Sequence, residues 1–114
     1  MIEMSEVREW HRGVRVERTL NALKENGFKT KYASTRIEAV EEILKLIPKD
    51  TLVGVGGSIT IREMGLMDAL SQRGNRVAQH WQKGLSWEES MAIRRQQLTS
   101  DVFLTSSNAI MESG

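Results

Sequence analysis

The segment LVGVGGSITIREMGL, residues 52–66, places Gly54, Gly56, Gly57, Ser58 and Thr60 between an apolar run and a helix-like pattern. A glycine inside a regular element costs about 0.5–1 kcal/mol against alanine. These glycines must therefore serve a tight turn, close packing, or a ligand that needs bare backbone. Gly57 can take a positive φ, so that successive N–H groups converge on a small anion. A helix starting near Thr60 adds the positive end of its dipole. The hydroxyls of Ser58 and Thr60 can cap that helix or bond a ligand oxygen. The competing reading is that Gly54 and Gly56 only permit tight packing and that Ser58 or Thr60 is an ordinary N-cap. Two named phosphate motifs are excluded: Ile59 stands where G-x-G-x-x-G needs glycine, and the turn lacks the P-loop lysine.

Three further side chains have catalytic chemistry. His80 suits proton transfer near neutral pH, or is a solvent-facing or hydrogen-bonded structural histidine. Glu63 is a base, or simply a carboxylate that suits the first turn of a helix. Glu112 is a carboxylate nucleophile or base, although it lies two residues from the end of the sequence, where fraying is usual. Ser107 and Asn108 follow an apolar run, where the amide binds a substrate or holds a turn. Trp81 and Trp87 flank QKGLS as core, interface or stacking aromatics. No Ser-His-Asp order is convincing, and no His/Asp/Glu cluster has metal-ligand spacing, so neither a metal nor another cofactor is expected.

These residues need a frame. Residues 5–26 read as helical, but Val7, Trp10 and Val14 lie nearly opposite Val16, Leu20 and Leu23, with Gly13 near the switch. The helix breaks or bends there, or its first half packs on another body. FKTKYAS alternates like a strand with one wet face. STRIEAVEEILKLIPKD is a helix with a Thr35–Glu38 capping box, ended by Pro48. TLVGV reads as a buried parallel strand. Residues 60–73 form another helix, in which Gly65 allows close approach to a strand, and Gly74 closes it. NRVAQH is a short strand. LSWEESMAIRRQQL is a helix capped by Ser86 and Glu89, and DVFLTS is a last buried strand.

Strands alternating with helices predict an α/β fold: a mostly parallel sheet of about four strands (28–33, 51–56, 75–79 and 102–106) with flanking helices. Ligands of such sheets bind beyond the strand carboxyl ends. Gly56-Gly57-Ser58 follows one such end, His80 a second, and Ser106-Ser107-Asn108 a third.

Composition narrows the partners. A chain of 114 residues fits one domain. Sixteen Lys and Arg against 15 Asp and Glu leave a net charge of +1, too little for a broad nucleic-acid footprint or a polybasic membrane anchor. There is no cysteine, which excludes disulfides and thiolate-bound iron–sulfur clusters and fits a reducing cytoplasm. No apolar run reaches the roughly 20 residues that span a membrane.

VGVGGSITIREMGLMDAL, HWQKGLSWEE and LTSDVFLTSSNAIMESG resemble successive blocks of the lactate utilization (LUD) domain family. The resemblance runs from about residue 35 onward. It implies the fold of ribose-phosphate isomerases, glucosamine-phosphate deaminases and CoA transferases, with the site at the strand carboxyl ends. It also implies iron–sulfur oxidoreductase subunits as partners, because some members accompany them in the bacterial oxidation of lactate to pyruvate. By resemblance, Gly56, Gly57, Ser58 and Thr60 match one block, and Asn108, Ala109, Ile110 and Glu112 another. Met111 stands where the family usually has threonine, and the sequence stops at Gly114 where members run on. A single, apparently truncated domain is expected, with an incomplete sheet edge covered by a second copy in a homo-oligomer.

Three functions follow. The first is an accessory protein of lactate utilization with a small anionic ligand at the glycine turn. The second is an isomerase- or CoA transferase-like enzyme using Glu112, Glu63 or His80 on a phosphorylated or thioester substrate. The third is a non-catalytic remnant held together by oligomerisation.

Overall fold

Apolar runs alternating with helical segments build a parallel layer because each crossover must carry the chain back across the sheet. A computed structural model describes residues 3–57, 59–79 and 83–114. The chain divides into two units, Met1–Ser34 with Ser107–Gly114, and Thr35–Ser106.

In the first unit, helix α1 spans Met4–Glu25 and passes through Gly13 without a break. Its two apolar faces fare differently. Val16, Leu20 and Leu23 are half-buried, whereas Met4, Val7 and Trp10 are exposed. The helix closes as Gly27 N–H donates to Lys24 O and Phe28 N–H to Leu23 O, the paired bonds of a Schellman motif. Residues 28–33, expected as a strand, pair with no other segment among the described residues. Alternation marks a half-wet face, but a strand exists only where a partner ladder meets it.

The C-terminal residues attach to α1. Glu112 accepts from Arg15 Nε at 2.6 Å and Arg18 Nη1 at 3.3 Å, and Asn26 Nδ2 donates to Gly114 O at 3.2 Å. The Arg15 hydrogen bond, opposed by lost hydration and aided by the charges of Arg15 and Arg18, holds the Glu112 carboxyl below its ordinary value. A depressed carboxyl stabilises the folded state above its unfolded pKa of 4.5, and that contribution disappears as pH falls through the lower folded value. An acid titration followed by amide NMR of residues 110–114 is expected to show the tail releasing in this window. In Glu112→Gln that titration is absent.

In the second unit, α2 (Arg36–Leu46) starts where Glu38 N–H donates to Thr35 Oγ1. Strand β1 (Leu52–Val55) leads to α3 (Ile59–Glu63), α4 (Leu66–Gln72) and β2 (Arg76–Ala78). Then come α5 (Trp87–Leu98), which Ser86 caps through Glu89 N–H, and β3 (Val102–Leu104). The three strands form one parallel sheet in the order β2-β1-β3. Val53 and Val55 share one face of β1, where Ile47, Ile61, Leu66 and Leu70 complete a buried cluster.

The helix expected over 60–73 is two helices. Gly65 adopts φ +72°, a left-handed conformation that ends α3 and caps α4. A Cβ at Gly65 would meet nothing within 4 Å, so this glycine makes a turn rather than a close approach to a strand. Side chains brace the α2–β1 corner. Arg73 donates to Leu44 O and Ile47 O, taking carbonyls that a helix end leaves without partners. Buried Asn75 donates to Pro48 O and Thr51 O.

Candidate functional site

Strand β1 carries valine on one face and glycine on the other, and the glycine face decides how the site is built. A Cβ on Gly54 would lie 2.8 Å from Ser100 Oγ and 3.0 Å from both Cα and O of Gln97. Helix α5 therefore packs directly on the β1 backbone. From that position Gln97, itself buried, donates its amide to Val55 O at 2.9 Å and Ala78 O at 3.3 Å. One side chain thus joins the carboxyl ends of β1 and β2.

On the other side, Gly56 N–H donates to Leu104 O at 2.9 Å and carries the β1–β3 ladder one residue past β1. A Cβ on Gly56 would stand 3.2 Å from the Phe103 ring and 3.4 Å from Thr105 Oγ1. The N–H of Gly56 is committed to the sheet. Donors for an anion at this turn therefore begin with Gly57 N–H and the Thr60 hydroxyl, both on exposed residues.

Gly56, Gly57 and Thr60 follow one another from the carboxyl end of β1, and Glu63 ends α3 as an exposed residue. Ser58 and His80 lie outside the described residues, as does Trp81. Trp87 is 75% exposed at the start of α5, so it is not a core aromatic. Ser107, Asn108 and Glu112 belong to the first unit. There the Arg15 and Arg18 guanidiniums hold Glu112 as a carboxylate, and a carboxyl with a depressed pKa is a weaker proton acceptor. Among the described residues, no three His, Cys, Asp or Glu side chains come together as a metal site, and no helix is long and apolar enough to cross a membrane.

Gln97 was not evident as a site-building residue in the sequence. It sits in RRQQL, which reads as the wet face of a helix. In the sequence it is only the penultimate residue of α5, and its position against Gly54 is a property of the fold.

In class, the second unit is an open parallel α/β layer with a glycine turn at the carboxyl end of its central strand. The chain belongs to the LUD domain family, whose sequence model matches residues 16–114. That match takes in β1 to β3, the glycine turn and the C-terminal part of α1. No curated protein and no solved structure matched the chain.

Proposed function

We propose that the protein is an accessory component of lactate utilization that holds a small anionic ligand beside Gly57, between the carboxyl ends of β1 and β3. The observation that carries this reading is the strand order. In β2-β1-β3 the direction of travel across the sheet reverses at β1, and such a reversal opens a crevice between β1 and β3 at their carboxyl ends. Gly56 and Gly57 form the β1 side of that crevice, and Thr105 follows β3 on the other. Family membership supports the lactate connection, and the isomerase and CoA transferase fold that the family resemblance implies has its site at the same end of the sheet.

The same reading includes partners. The chain has no cysteine, so a thiolate-bound iron–sulfur cluster belongs to an associated oxidoreductase subunit. A homo-oligomer is supported by β3, an edge strand among the described residues, whose Phe103 is 51% exposed, and by Leu98 of α5, 86% exposed. Such an edge favours pairing with another chain.

A melting-temperature screen with lactate, pyruvate, sugar phosphates and CoA tests the ligand site. A ligand at 100 times its Kd stabilises by about 2.7 kcal/mol, a rise of roughly 10 °C for a domain of this size. Gly57→Val is expected to abolish the rise and to leave the unliganded melting temperature within a few degrees of wild type, since Gly57 is exposed. An unchanged rise in that variant overturns the assignment.

A further inference from the structure

The first unit contains a groove of about 710 Å³, within the size range of small-molecule sites. Its charge is strongly sorted. Arg8, Arg12, Arg15, Lys29 and Lys31 line it, five of the seven Lys and Arg in that unit. Of the unit's six acidic residues, only Glu112 lines it. The whole chain carries a net charge of only +1, so this clustering does not follow from a basic composition.

Helical spacing explains the arrangement. Residues 8, 12 and 15 recur at i, i+4 and i+7 and so share one face of α1. Val16, Leu20 and Leu23 add an apolar floor on the same helix, and the Tyr32 ring contributes an aromatic wall. Thr30 also lines the groove, and its buried hydroxyl has no hydrogen-bond partner among the described residues. The groove already holds one carboxylate: Glu112 sits on Arg15 Nε at 2.6 Å.

We propose that this groove binds a soluble phosphate ester with an aromatic or other apolar body, at a site separate from the glycine turn. Glu112 neutralises a single positive charge at Arg15, and Arg8, Arg12 and Lys29 match a dianionic phosphate better than a monocarboxylate. The apolar floor and Tyr32 take up the body of the ligand, and the volume exceeds what inorganic phosphate fills. A concave groove of this size also suits a discrete small molecule rather than a lipid surface, which needs a broad apolar face.

Isothermal titration with 1-naphthyl phosphate, inorganic phosphate and 1-naphthoate tests the assignment on the full chain. Naphthyl phosphate is expected to bind at least tenfold more tightly than either of the others, and less tightly as salt is raised. The double substitution Arg12→Gln with Lys29→Gln is expected to weaken it at least tenfold with an unchanged far-UV spectrum. The charge-keeping pair Arg12→Lys with Lys29→Arg retains most of the affinity. Gly57→Val leaves naphthyl phosphate binding untouched, which separates this site from the one at the sheet. Equal affinity for inorganic and naphthyl phosphate, or wild-type affinity in the charge-removing double variant, overturns the proposal.

Discussion

Gly54→Val is expected to lower the melting temperature by roughly 10 °C or more. Even a bare Cβ at this position meets Ser100 Oγ at 2.8 Å and the Gln97 backbone at 3.0 Å. The Ser100 hydroxyl can rotate away, at the loss of its 2.7 Å bond to Gln97 O. The α5 backbone cannot, so the whole helix must lift from β1. Overpacking of this kind costs typically 1–3 kcal/mol. Valine falls at the upper end, because it adds two methyl groups to a contact that is already too short for one carbon. Lifting α5 also draws the Gln97 amide away from Val55 O and Ala78 O. Two strand-end carbonyls then lose their partner, and leaving such a group unsatisfied costs about 1–3 kcal/mol. Thermal unfolding followed by circular dichroism measures the sum. Gly54→Ala is expected to show a smaller loss in the same direction, and a wild-type melting temperature for the valine variant would contradict the close packing of α5 on β1.

The second large effect is expected from Leu70→Ala, at about 2–5 kcal/mol in urea-induced unfolding. Leu70 and Leu66 have no exposed surface, and with Val53 and Val55 they are the largest fully enclosed side chains among the described residues. Helix α4 has only seven residues, too few to be stable by propensity alone, so its leucines hold it in place. Removing the Leu70 side chain leaves a cavity against β1 and loosens the brace that follows it, since Arg73 and Asn75 both fasten the α2–β1 corner. An exposed apolar control, Leu46→Ala, is expected to change stability by less than about 0.5 kcal/mol, because Leu46 is 80% exposed.

Much of the second unit was legible in local signals. The hydroxyl half of each expected capping box forms, Thr35 accepting from Glu38 N–H and Ser86 from Glu89 N–H, because an N-cap hydroxyl needs only the amide three residues ahead. The runs at 52–55, 76–78 and 102–104 become parallel strands because they are apolar and separated by helix-period segments. Other features escaped for identifiable reasons. Residues 28–33 have strand-like alternation, but pairing is non-local and the sequence cannot say whether a partner is present. Gly65 sits in a continuous helical pattern, and its left-handed backbone became visible only from its φ. The opposed apolar faces of α1 hinted at a break near Gly13, but α1 stays continuous and simply leaves Met4, Val7 and Trp10 exposed.

At the candidate site the division is sharper. The sequence already contained the glycines, their place after an apolar run, the family resemblance and the absence of cysteine, all properties of neighbouring residues or of composition. Folding settled which amides are spoken for, so that Gly56 N–H serves Leu104 O while donors for a ligand start at Gly57. It also set Gln97 across two strand ends and drew residues 8, 12, 15, 29 and 31 around one groove. Hydrogen-bond occupancy and charge clustering depend on distances between segments far apart along the chain, and one-dimensional order carries little of that information.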